Sequence, residues 1–121
     1  MASEIAVAAS LSVTKGGTAE ALYLGPLYVT LTGTRILRNR QSVGTSEEAL
    51  VLGEVVPGGW LLIVNRDPTN YVQVKTATGG TAFARLLAGE FCLLRIDSGL
   101  SAPFVQANTA ACEIEYLILP A

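Results

Sequence analysis

Apolar and polar residues alternate with period two along much of this chain. Ile5, Val7, Ala9, Leu11 and Val13 fall on one side of an extended segment, with Ala6, Ala8, Ser10, Ser12 and Thr14 on the other. Successive side chains of a strand point to opposite faces, so the pattern predicts a strand with one buried face. The second face is small and polar, which lets another chain approach closely. Lys15-Gly16-Gly17-Thr18 breaks the strand, and residues 18–26 read as a loop ending at Gly25-Pro26. Leu27, Val29 and Leu31 then alternate with Tyr28, Thr30 and Thr32, a second half-buried strand rich in β-formers. Gly33 interrupts it as a bulge or turn. Arg35-Ile36-Leu37-Arg38 continues as an edge strand whose charges blunt the edge. Residues 39–47 are polar and read as a loop. From Glu48 to Val56 the chain is apolar, with a strand expected after Ala49 and a short helical turn over 46–50, capped by Ser46, as the alternative.

Residues 59–74 carry the plainest local grammar. Trp60 to Val64 is wholly apolar, Asn65 to Asn70 is built from turn formers, and Val72 and Val74 alternate with Tyr71 and Gln73. The stretch reads as a β-hairpin-like unit, with Asp67 as a turn former whose side chain accepts backbone N–H groups. A continuous apolar strand in a sandwich is central, with one face in the core and the other covered, for example by a neighbouring subunit. Turns at 78–81, 88–90 and 97–99 delimit strands over 83–87, 91–96 and 104–107. In the last strand, 111–119, Cys112, Ile114, Tyr116 and Ile118 share one face, and Glu113, Glu115, Leu117 and Leu119 the other. About eight or nine short strands, turn signals at short intervals and no amphipathic helix are the pattern of a β-sandwich or barrel. Eight strands fit a jelly roll, an architecture common in viral shells. The expected fold is all-β: a single-domain, jelly-roll-like antiparallel β-sandwich over residues 1–121. Residues 1–20 form an N-terminal strand or arm available for inter-subunit contacts.

A chain of 121 residues suffices for one domain with its own core. Hydrophobic residues make up 50% and charged residues only 15%, against roughly 25% charged in typical soluble domains. Either the core is rich and padded with alanine, or the chain is a homo-oligomer or assembly subunit whose interfaces hide the excess. Eight Lys plus Arg against ten Asp plus Glu, a net charge of −2, argue against nucleic acid, which is bound through clustered positive charge. Arg35, Arg38 and Arg40 are a local exception. They read as a solvated strand or loop, or as a contact to an acidic partner surface. Cys92 and Cys112 lie in apolar segments and read as small buried hydrophobes, with a disulfide between them the less favoured alternative. The first residues lack the basic start and apolar run of a signal peptide. No segment approaches the ~20 apolar residues of a membrane helix. The expectation is a chain made in the cytoplasm that stays soluble or assembles, with no membrane partner.

The chain contains no histidine, which excludes histidine-dependent triads, histidine metal sites and histidine proton shuttles. No Gly-rich loop precedes a helix, so no phosphate cradle is implied. Glu47 and Glu48 read as a solvated loop. Glu113 and Glu115, two apart on one strand face, read as solvent-exposed or as holders of a cation or an inter-subunit arginine. Trp60, beside two glycines, reads as a core or interface anchor, with stacking on a sugar as the alternative. No constellation supports an enzyme, and no cofactor or metal is expected.

Five segments, taken together and in order, resemble a family of small virion structural proteins of tailed bacteriophages. They are Val43-Gly44-Thr45-Ser46-Glu47-Glu48-Ala49-Leu50, Leu52-Gly53-Glu54, Asn65-Arg66-Asp67-Pro68-Thr69-Asn70-Tyr71-Val72, Leu87-Ala88-Gly89-Glu90-Phe91 and Glu115-Tyr116-Leu117-Ile118-Leu119. They span residues 43–119. Pro68 departs from the pattern of the turn, and the first 42 residues carry no matching segment. The resemblance implies a capsid decoration, or cement, protein: a small β-sandwich homo-oligomer, a trimer, on the outside of the major capsid lattice. Its partners would be itself and the major capsid protein, which it clamps at capsomer joints by multivalent attachment. Its location would be the virion's capsid surface. The contact candidates are Arg35, Arg38 and Arg40 toward an acidic capsid face, Ile5 and Val7 for strand addition, and Trp60 as an anchor. A tail, neck or baseplate component of the same virion is the alternative. A carbohydrate-binding β-sandwich module using Trp60, Tyr23, Tyr28 and Tyr71 is a further one.

Overall fold

Ten antiparallel strands and no helix make up residues 4–53, 55, 59–97, 99–100 and 102–120, the residues that the computed structural model describes. They are β1 (Ile5–Lys15), β2 (Thr18–Val29), β3 (Leu37–Val43), β4 (Glu48–Ala49), β5 (Trp60–Asn65), β6 (Val72–Lys75), β7 (Ala82–Leu86), β8 (Phe91–Arg95), β9 (Phe104–Ala107) and β10 (Cys112–Leu119). The contacts divide them into two units, the β1–β2 hairpin and the body Gly33–Pro120.

The body has two four-stranded sheets, ordered β3-β10-β5-β8 and β4-β9-β6-β7. First pairs with last inward along the chain: β3 with β10, β4 with β9, β5 with β8, β6 with β7. That is one long antiparallel hairpin rolled over on itself, the jelly roll, and the all-β sandwich expectation holds. The strand count, ten, is slightly higher than expected.

Alternation builds the core. Leu61, Ile63, Ile114, Tyr116 and Ile118 from one sheet meet Val72, Val74, Val105 and Ala107 from the other, and all are buried. Cys112 joins them, Cys92 packs against the cluster, and both thiols are free rather than bridged. β-Branched residues dominate the contact, as suits a pleated and half-buried surface.

Three local expectations change. Residues 59–74 do not form a hairpin, because β5 pairs with β10 and β8 while β6 pairs with β7 and β9. The turn between them crosses from one sheet to the other, which turn chemistry alone does not reveal. Most of the polar stretch 39–47 is strand: β3 is the edge of its sheet, and its inward polar residues find partners. Asn39 Nδ2 donates to the Tyr116 hydroxyl at 3.1 Å, and the hydroxyl donates to the Val51 carbonyl. Gln41 Nε2 donates to Glu48 Oε1 at 2.9 Å, and Gln41 Oε1 accepts from Val51 N–H at 3.1 Å. The strand expected after Ala49 instead ends there, with Leu50 buried as an anchor and no helical turn over 46–50. Residues 54 and 56–58 lie outside the described set.

In the arm, residues 18–26 are strand rather than loop. Gly25-Pro26 read as a breaker, yet it forms a bulge: Val7 to Ala9 passes one residue while Leu27 to Leu24 passes two. Gly25 has φ +116, and a Cβ there would lie 2.7 Å from the Cα of Ala8, so only glycine fits.

Asn65 joins the sheets. It is the one buried polar side chain among the described residues. Its Nδ2 donates to the carbonyls of Asn70 (2.9 Å) and Leu86 (3.0 Å), and its Oδ1 accepts from Asp67 N–H (2.9 Å). Its backbone bonds Glu90 O and Gly89 N–H. Within the same turn the Asp67 carboxylate accepts from the N–H groups of Thr69 and Asn70 at 3.0 and 2.6 Å, as expected. Those donors hold its pKa below the ordinary carboxylate value. Replacing Asn65 leaves buried groups unpaired, so Asn65→Ala should cost about 3 kcal/mol in chemical denaturation. Asn65→Asp should cost at least as much, because a carboxylate cannot donate to the two carbonyls.

Candidate interaction surfaces

The two sheets of the body differ on their outer faces. On β4-β9-β6-β7 that face is mainly polar, with Gln73, Lys75, Arg85 and Gln106 beside Phe104. On β3-β10-β5-β8 the cross-strand rows are Leu119 with Trp60, Leu117 with Leu62, Leu62 with Leu93, and Val64 with Phe91. Most of these are half-buried and Phe91 is 63% exposed. The face is aliphatic at its centre and charged along one side. This is the second apolar face expected of the continuous strand Trp60–Val64.

The charged side is a cross-strand ladder. Glu115 Oε2 accepts from Arg38 at 2.6 Å, and Glu115 Oε1 pairs with Arg66 Nη2 at 2.9 Å. Glu113 pairs with Arg40 at 3.1 Å. The bonds from Arg38 and then Arg66 hold the Glu115 carboxyl below its ordinary pKa. The arginines that meet these carboxylates thus come from the same chain. Arg38 is 74% exposed against 16% for Glu115, so the pair fixes geometry more than it adds stability. Arg35, near Arg38 and Arg40 in sequence, precedes β3.

Trp60 sits on the aliphatic outer face with the Arg95 guanidinium 5.4 Å from its ring. Its indole N–H is buried without a hydrogen-bond partner among the described residues. Tyr71 lies under Arg85 at 4.3 Å, whereas Tyr23 and Tyr28 are exposed on the arm.

Ile5 is buried and Val7 half-buried at the arm's base. The exposed apolar surface begins further out, where Leu11 is 79% and Leu22 62% exposed. The register puts them opposite one another, and side chains opposite in an antiparallel pair share a face. Sequence reading found the β1 half of this face and missed the β2 half, because the register and the bulge are not written in either strand alone.

Glu47, read as a solvated residue, is a clamp. Its carboxylate takes Lys75 Nζ at 2.7 Å, Thr78 Oγ1 at 3.0 Å and Gly79 N–H at 2.9 Å. The bond from Lys75, then those from Gly79 and Thr78, lower its pKa from 4.5 to about 2. A hollow of about 470 Å³ opens between Leu61, Val74, Phe83, Leu94 and Leu100, with Arg95 and Asp97 also lining it. Its lining is mainly apolar and suits an apolar group. Among the described residues no cluster of three or more Asp, Glu, Cys or His side chains could hold a metal ion. No helix there is long and apolar enough to cross a membrane.

Compared with known proteins, the chain matches no family model, no curated protein and no solved structure.

The lowered pKa of Glu47 has a definite sign. Below 4.5 the unfolded chain takes up a proton that the folded chain resists until about 2, so folding stability falls as pH drops through that window. In Glu47→Gln that contribution is missing at neutral pH, and its acid limb should be shallower than wild type. Denaturation midpoints from neutral pH down to about pH 2 measure it.

Proposed function

We propose that this chain is a non-enzymatic structural protein of a tailed-phage virion, a capsid decoration protein that binds the outside of the major capsid lattice and stabilises the head. The observation that supports an assembly role most strongly is the distribution of apolar surface. The jelly roll completes its own core, yet one outer sheet face and one face of the arm are still aliphatic. A chain with 50% hydrophobic and 15% charged residues then places its excess on surfaces, as subunits of assemblies do.

The resemblance over residues 43–119 supplies the particular virion role. Several of its segments map onto corners of the fold, and residues 115–119 form the end of β10. Glu48 accepts from Gly44 N–H, the Asn65–Asn70 turn crosses between sheets, and Glu90 accepts from Leu87 N–H. These segments specify the scaffold, and the contacts to partners belong on the outer surfaces. For such a role the requirements are complementary surface and repeated attachment to a lattice, with a homo-oligomer bound across capsomer joints. Arg35, Arg38 and Arg40 are the contacts proposed toward an acidic capsid face. Arg38 and Arg40 are already paired with Glu115 and Glu113 on the same face.

Quantitative mass spectrometry of purified virions tests this reading. We expect a copy number comparable to that of the major capsid protein. An abundance of a few per cent or less would place the chain in the neck or tail instead. The triple substitution of Arg35, Arg38 and Arg40 by alanine should lower capsid occupancy several-fold. Unchanged occupancy would remove the arginines from the interface.

A further inference from the structure

We propose that the aliphatic face of the β1–β2 arm is the self-association surface of this chain. Arms of separate copies pack face to face and parallel, with their tips together. The proposal gives a surface to the homo-oligomer of the reading above and needs nothing of its capsid partner.

The register assembles the face. Val7 lies opposite Leu27, Ala9 opposite Leu24, Leu11 opposite Leu22 and Val13 opposite Glu20. The bulge at Gly25-Pro26 inserts one extra residue in β2, which keeps Leu24 and Leu27 on the same side. Without it, every residue of β2 beyond the bulge would turn to the other face. The opposite face carries Ala6, Ser10, Ser12, Ala19 and Ala21, with Tyr23 and Tyr28 among them. One face therefore has the composition of a core and the other that of a surface. Yet Leu11, Val13, Leu22, Leu24 and Leu27 are all more than half exposed. A two-stranded hairpin alone is marginal in water, so a face of this kind calls for cover.

Area and charge indicate a second copy. An arm of eleven residues is ~36 Å long and, with its side chains, ~10 Å wide, giving on the order of 500 Å² of accessible face. Two such faces together bury on the order of 1,000 Å², the lower bound for a specific interface. The charged side chains on this face are Lys15 and Glu20, both near the tip and on different strands. Neither makes an ion pair among the described residues. A symmetry axis along the arm, two-fold or three-fold, sets β1 of one copy beside β2 of the next. Lys15 of each then approaches Glu20 of its neighbour, and leucines meet leucines. The antiparallel arrangement would press both charges onto the aliphatic base of the other arm, which desolvates them without a partner.

Light scattering of the full chain over a concentration series tests the association. The wild type should be oligomeric, and Leu11→Glu and Leu22→Glu should each reduce it to monomer. Lys15→Glu should weaken association at least several-fold, and Lys15→Glu with Glu20→Lys should restore it. That rescue does not depend on whether the leucine variants keep the arm folded. A spin label on Thr18→Cys, in a Cys92→Ala background, reads the direction: tips together give distances below about 25 Å, whereas antiparallel arms separate the labels by about 35 Å. A monomeric wild type overturns the proposal. So does an oligomer indifferent to both leucine variants, which would assign association to the aliphatic outer face of β3-β10-β5-β8 and make it sensitive to Leu62→Glu. A long interspin distance overturns the parallel arrangement. Arm-dependent oligomers with low virion copy number would overturn the decoration reading alone, and abundant but monomeric chains would overturn this proposal alone.

Discussion

The buried side chain of Asn65 is the constraint on which the sandwich depends. A polar amide in a dry core is costly unless all its donors and acceptors are paired, and here they are paired with both sheets. Asn65 ends β5 in one sheet, while Leu86, whose carbonyl it holds, ends β7 in the other. The same amide fixes Asn70 at the approach to β6, and the backbone ties the turn before β8. Four segments thus meet at one residue. An aliphatic side chain of similar volume would pack there, but it would leave those backbone groups unpaired and the crossing between sheets undefined.

A similar rule governs the rest of the polar interior. β3 brings Asn39 and Gln41 inward against Tyr116, and the three side chains settle one another's hydrogen bonds together with Val51 and Glu48. Glu47 does the same for the turn between β6 and β7 through Lys75, Thr78 and Gly79. Many of the charged groups near the body are in this way committed to holding the fold. The ladder of Arg38, Arg40 and Arg66 with Glu113 and Glu115 orders one side of a sheet whose centre is aliphatic. That face has a charged margin and an apolar middle, the anatomy that protein contacts also have.

The arm follows a different logic. Its two strands pair only with each other, and its amphipathic character is produced by register rather than by burial. Gly25 is where that character is secured, since the extra residue of the bulge must pass against Ala8 without a side chain. The same two residues, Gly25 and Pro26, look like a terminator when the chain is read one residue at a time.

Sequence alone determined the fold class, the position of most strands and the core-facing side of several strands of the body. A period of two is a local property, and in the body it marks the buried face, as Cys112, Ile114, Tyr116 and Ile118 illustrate, whereas the same period in β1 leaves Leu11 and Val13 exposed. It also identified Asp67 as a turn former, because an aspartate two and three residues before free N–H groups is a local device. It placed only the start of β3 and the end of the arm's second strand and missed the role of Glu47, since polar residues take strand or clamp positions only when distant partners satisfy them. Arg38 and Glu115 are 77 residues apart in the chain, and nothing near either one announces the other. Only the tertiary structure decided that residues 59–74 cross between sheets, and which leucines share the arm's exposed face. Pairing, register and crossing are relations between segments. They are set by how long-range hydrogen bonds and buried faces can be satisfied at once, and a pattern read along one strand does not contain them.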